Sequence, residues 1–211
     1  AVTGRISGRD LGSTIRAVKQ TLAQPGLLPG NMYYELGGLY KQQQIAFRGL
    51  IAVFIAALAL VFLLLLFLYE TFAAAVAILI TPLLAIAAVF TGLWLTGIEL
   101  NITAMMGMTM IVGIVTEVSI FYFSEYHQLL RRNIAKGSAL IQAGTNRMRP
   151  ITMTTLATIL ALLPLALALG QGSAMQQPLA VAIISGLLVQ IPLVLIVLPL
   201  LYKSLAGIKV A

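Results

Sequence analysis

Ile102–Ser124 reads ITAMMGMTMIVGIVTEVSIFYFS, and within it Glu117 is the only charged side chain. The remainder is Met, Ile, Val, Gly, Phe and a few hydroxyl residues, suited to hydrocarbon. A helix of this length crosses a bilayer core of about 30 Å. A carboxylate at the centre of such a helix costs roughly 2.5–3.5 kcal/mol on insertion scales, and taking up a proton avoids much of that cost. Intramembrane carboxyls of this kind serve proton-driven machines. They also occur near helix ends, where they reach water, or as polar glue between helices.

The rest of the chain is built from similar material. Of 211 residues, 60% are hydrophobic and 9% charged, and the mean hydropathy is +1.02. Soluble domains carry about 25% charged residues. Hydropathy predicts five spans, at about 47–69, 72–96, 101–124, 150–170 and 178–202. Pro82, Pro164 and Pro192 fall inside spans, where each frees a backbone carbonyl and permits a kink.

A net charge of +7 could suggest nucleic acid. The placement of the charges argues for topology instead, and no nucleic-acid partner is expected. Arg131, Arg132, Lys136, Arg147 and Arg149 lie between spans three and four, and Lys203 and Lys209 follow span five. The connections Leu95–Asn101 and Gly170–Pro178 hold no Lys or Arg. By the positive-inside rule the basic segments are cytoplasmic, including the 206–211 tail, and residues 1–45 lie on the other side. There are no cysteines, so disulfides, thiol catalysis and thiolate metal sites are excluded. The chain does not begin with Met, and a piece of a longer protein is expected.

Residues 1–45 are polar. Ala1–Ser7 and Asn31–Leu36 read as strands, Pro25–Gly30 as a loop, and Ser13 as the cap of a helix running to about Ala23. That β-α-β fragment is too small to bury its own core and belongs to a larger extracytoplasmic domain. From Leu39 to Arg48 a Gln-rich helix feeds span one. Residues 125–147 read either as a cytoplasmic interfacial helix or as a solvated connector. The expected fold is therefore mainly α and polytopic: a membrane-helical bundle over 46–205, preceded by a small α+β fragment.

Glu117 shares a helical face with Gly113, Thr109 or Met110, and Met106. That face is small and partly polar, as expected of a surface turned toward other helices. Ile111, Val115, Phe121 and Phe123 are the expected lipid face. Thr152, Thr154, Thr155 and Thr158 crowd the start of span four; they line a hydrated passage or bond back to their own helix. Of Arg147 and Arg149, one snorkels to headgroups and the other reaches an acidic group in the bundle. Met106 and Met110, within a cluster that also holds Met105 and Met108, are weak candidates for a soft-metal path and equally ordinary core filler. His127 reads as a surface residue. No Ser-His-Asp set, phosphate loop or HExxH motif is present, so an enzyme finds no second catalytic group.

Several phrases together resemble the resistance-nodulation-cell division (RND) efflux pumps. Gly8-Arg9-Asp10-Leu11-Gly12, Leu28-Pro29-Gly30 and Tyr34-Glu35-Leu36-Gly37-Gly38 resemble the end of that family's periplasmic porter domain. Gly97–Asn101 resembles the entry to its tenth span. Arg147-Met148-Arg149-Pro150, with Met153-Thr154 and Leu163-Pro164, resembles its eleventh, and Pro199–Lys203 the end of its twelfth. The resemblance implies the C-terminal fifth or so of a proton-driven inner-membrane exporter of drugs, metal cations or other toxic compounds. It implies a homotrimer docked to a periplasmic adaptor and an outer-membrane channel, powered by the proton-motive force with no cofactor.

It also implies a proton relay at Glu117, with Arg147 and Thr154 as partners and further acids on an upstream span; Thr155, on the adjacent row of span four, is a further candidate partner. Drug exporters of the family typically carry Lys at the position of Glu117, whereas some metal exporters carry Glu. Those metal exporters place Lys where this chain has Ile151. The alternative reading is a non-transporting membrane sensor or lipid-binding protein with a related bundle.

Overall fold

The computed structural model describes residues 4, 11–24, 33–34, 36–37, 39–170 and 172–207, and it falls into two units, Ala1–Gly49 and Leu50–Ala211. In the first unit α1 spans Leu11–Leu22, beginning two residues before the cap expected at Ser13. The two expected strands fall almost wholly outside the described residues. Gly4, Tyr33, Tyr34 and Leu36, which are described, are not in strands, so the β-α-β expectation reduces to its helix.

The second helix, α2, is Leu39–Tyr69, and its residues from Leu50 onward belong to the second unit. There follow α3 (Phe72–Thr96), α4 (Ile102–Arg131), α5 (Lys136–Ala166), α6 (Gln177–Pro192) and α7 (Leu198–Ala206). A π-helical turn, Leu193–Val197, joins α6 to α7, so the two form one span. Among the described residues, five stretches are long and apolar enough to cross a membrane: Gln44–Tyr69, Phe72–Thr96, Ile102–Arg131, Lys136–Ala166 and Gln177–Ala206. The protein is a multi-pass, mainly helical membrane protein.

Chain reversals follow local chemistry. Gly97 ends α3 at φ 65°, and its N–H donates to the carbonyls of Leu93 and Trp94. This left-handed cap suits glycine because no Cβ opposes it. Asn101 starts α4, its side-chain oxygen accepting from the Ala104 N–H at 2.8 Å. Segment 125–147 is not a helix of its own. It is divided between the end of α4 and the first turns of α5, which runs unbroken through Pro150. The Tyr122 hydroxyl donates to Leu140 O at 2.7 Å and ties those two helices together near their turn.

Within the second unit α6 packs against α3, α4 and α5. Small residues allow this close approach. Gly107 of α4 lies against Ala182 and Leu179 of α6, Gly186 of α6 against Ile111, and Gly92 of α3 against Ser185. By contrast α2 is covered mainly in its last turns, where Leu65 is fully buried and Phe62 meets Phe72 edge-on at 5.8 Å. A helix apolar all round needs no protein cover when its solvent is lipid.

An aromatic cluster closes one end of this unit. Tyr69 stacks on His127 at 5.2 Å, and Phe123 meets Tyr202 at 4.9 Å. His127 is thus half-buried rather than a surface residue, its Nδ1 lying 2.9 Å from Phe123 O.

Candidate functional site

The packed face of α4 is the reverse of the expected one. Ile111, Val115 and Phe123 are fully buried, whereas Met106, Met110, Gly113 and Glu117 are exposed. Of the residues expected on the lipid face, only Phe121 stays uncovered. The physical reason is that lipid and protein interior are equally apolar, so large aliphatic side chains suit either. Ile111 goes inward because Gly186 on α6 leaves a hollow that it fills.

Glu117 lies on one side of an open cleft of about 430 Å³ between α4, α5 and α6. Arg147, Thr154, Thr155 and Thr158 line the α5 side, and Gln190 lines the α6 side. The fold therefore gathers Glu117, Arg147, Thr154 and Thr155 into one place. Thr152 is not among the lining residues, and neither are Met106 and Met110. Those two methionines sit one turn apart on the exposed face of α4. Among the described residues no group of three or more His, Cys, Asp or Glu side chains could hold a metal ion.

The threonines divide into two kinds. Thr152 donates to Met148 O, Thr154 to Pro150 O and Ile151 O, and Thr158 to Thr154 O, at 2.7–3.0 Å. Each is satisfied within its own helix. Thr155 is 2% exposed, and its hydroxyl has no protein partner.

Arg147 reaches an acidic group, and that group is Glu125. Nη2 lies 2.9 Å from Glu125 Oε2, and Asn146 donates to the other carboxylate oxygen at 2.9 Å. Glu125 is eight residues beyond Glu117 on α4, about 12 Å along the axis. The cleft thus runs from a lone carboxyl at one level to a neutralised ion pair at another.

Sequence reasoning missed Glu125, Asn146 and Gln190. Glu125 was legible only as the first charge after the apolar run. Gln190 had a clearer signal, as the one amide between Leu179 and Tyr202. It is 1% exposed. An amide placed there is costly unless hydrogen-bonded.

Comparisons with known proteins agree with this architecture. A family model described as the AcrB/AcrD/AcrF family matches residues 1–206. The chain is 30% identical over 202 residues to the cobalt-zinc-cadmium resistance protein CzcA of Cupriavidus metallidurans, covering 96% of this chain and 19% of that protein. It is 31% identical over 173 residues to the multidrug resistance protein MdtC of Klebsiella pneumoniae, covering 82% of this chain and 17% of that one. It also resembles a crystal structure of a heavy metal efflux pump (crystal form II), with a TM-score of 0.83 and 28% identity. That match covers 96% of this chain and 20% of the pump. The chain spans about a fifth of the length of these relatives.

Proposed function

The chain belongs to the AcrB/AcrD/AcrF family, and on that premise we propose that it is the C-terminal membrane portion of a proton-driven RND efflux transporter. The transporter exports metal cations, drugs or other toxic compounds from the inner membrane or the periplasm. The observation that carries this reading is the shared cleft, in which Glu117 of α4 faces Arg147, Thr154 and Thr155 of α5. Glu117 is the proton-carrying group and the α5 residues are its relay partners.

The energetics suit that role. An ionised carboxyl in mid-membrane is penalised by roughly 2.5–3.5 kcal/mol, and one charge moved across 100 mV is worth about 2.3 kcal/mol. Each proton bound or released at Glu117 is therefore enough to rebalance two arrangements of the helices. The uncovered face of Met106, Met110, Gly113 and Glu117 is where another helix of the complete transporter, carrying the partner acids, packs. Residues 1–45 complete a periplasmic porter domain, and the C-terminus is cytoplasmic. The complete transporter is a homotrimer working with a periplasmic adaptor and an outer-membrane channel.

The test is Glu117→Gln in the complete transporter, reconstituted in proteoliposomes with an imposed pH gradient. Insertion and melting should be unchanged while proton-coupled export is lost. Glu117→Asp, which keeps the carboxyl, should retain part of it. Wild-type export by Glu117→Gln would remove Glu117 from the mechanism.

A further inference from the structure

Three buried side-chain atoms among the described residues lack any hydrogen-bond partner: Arg147 Nε, Thr155 Oγ1 and Gln190 Oε1. All three belong to residues lining the cleft that contains Glu117. Thr155 and Gln190 come from different helices and are 2% and 1% exposed. Buried polar groups left unpaired are rare and costly, so three on residues that line one cleft point to something that binds beside it.

The chemistry of the three atoms narrows what that is. Arg147 Nε–H only donates, Gln190 Oε1 only accepts, and the Thr155 hydroxyl does either. A cation would be served by the two oxygens but repelled by the guanidinium. An anion would meet the lone pairs of Gln190, and Glu125 already neutralises Arg147 at 2.9 Å. Water donates and accepts, and a buried water typically makes about three hydrogen bonds. A cleft of about 430 Å³ has room for several.

We propose that Gln190 and Thr155, with Arg147 Nε, form a hydration site in which Gln190 is a positioning residue. It holds water between Glu117 and the Arg147–Glu125 pair. The charged residues lining the cleft are Glu117 on α4 and Arg147 on α5, the latter paired with Glu125, which is not itself a lining residue; α6 lines the cleft with no charge. The site stands independently of proton transport. Its use as the route by which protons reach or leave Glu117 rests on the function proposed above.

Two measurements on the complete transporter in lipid nanodiscs test it. A high-resolution map should contain ordered water within hydrogen-bond distance of Gln190 Oε1; a dry cleft, or one filled by an acyl chain, overturns the proposal. Infrared spectroscopy at acidic pH should follow hydrogen–deuterium exchange of the Glu117 carboxyl, its band assigned by difference from Glu117→Gln. Gln190→Leu and Thr155→Val should each slow that exchange about tenfold, the factor for one lost hydrogen bond of ordinary strength. Thr155→Ser, which restores the hydroxyl, should exchange at the wild-type rate. Should Gln190→Leu fail to fold, the Thr155 pair decides. Wild-type exchange in Thr155→Val refutes the hydration site, and wild-type exchange in a folded Gln190→Leu refutes the positioning role. Wild-type export by Glu117→Gln would refute the relay and leave the hydration site intact.

Discussion

Gly186→Ala should destabilise the protein, and Ile111→Ala should partly rescue it. A Cβ built on Gly186 overlaps Ile111 Cγ1 and stands 2.9 Å from Cδ1 and 3.2 Å from Cβ, where ordinary contact begins near 3.4 Å. Ile111 is fully buried, and a β-branched side chain in a helix has one strongly preferred rotamer. It cannot swing away cheaply, so α6 must retreat from α4 by several tenths of an ångström. Overpacking of this kind costs about 1–3 kcal/mol. A cost of about 2 kcal/mol lowers Tm by roughly 4–8 °C in a chain of this size.

Ile111→Ala alone leaves a cavity and costs about 2–5 kcal/mol. In the double variant the methyl group added at Gly186 occupies the space vacated by Ile111 Cγ1. The two penalties therefore offset, with a coupling of about 1–2 kcal/mol. Thermal unfolding of the purified chain in detergent, followed by its helical circular dichroism, measures all four corners of the cycle. A double variant that melts at the sum of the single effects would refute the close packing of this seam. The seam matters to the site because Gln190 lies one turn beyond Gly186 on α6, so a retreat at Gly186 moves the α6 side of the cleft.

Two further outcomes follow from the same geometry. Glu125→Gln removes the charge paired with Arg147 at 2.9 Å; the two side chains keep 16% and 31% exposure, so water offsets part of the loss and about 1–2 kcal/mol should remain. An unchanged melting curve would count against the pair as a structural tie. Nothing lies within 4 Å of a Cβ at Gly113, so Gly113→Leu should leave melting of this chain within about 0.5 kcal/mol. The same change should impair export by the complete transporter, and full export would argue against a helix packing on that face.

The five spans were legible because each is long enough and apolar enough to cross hydrocarbon with its backbone hydrogen bonds closed internally. Their ends were less so. Residues 125–131 and 136–147 are polar yet helical, continuing α4 and α5 beyond the apolar runs, and hydropathy does not register a helix that leaves the membrane. The inverted face of α4 has a related cause. Periodicity locates a buried stripe by contrast with water, and a membrane helix has no such contrast. Only the fit of Ile111 over Gly186, and of Gly107 against Ala182, selects the inward face.

By itself the sequence determined that this is a multi-pass helical membrane protein, which stretches are long and apolar enough to cross, and that Glu117 is the only charge in one of those apolar runs. Those properties depend on transfer free energies summed along single helices, which need no neighbours. Tertiary structure alone decided that Glu117 shares a cleft with Thr155 and Gln190 and that Arg147 pairs with Glu125. It also decided that three polar atoms are left without partners there. These depend on how α4, α5 and α6 rotate and approach, which small residues and shape complementarity set and which hydropathy does not encode.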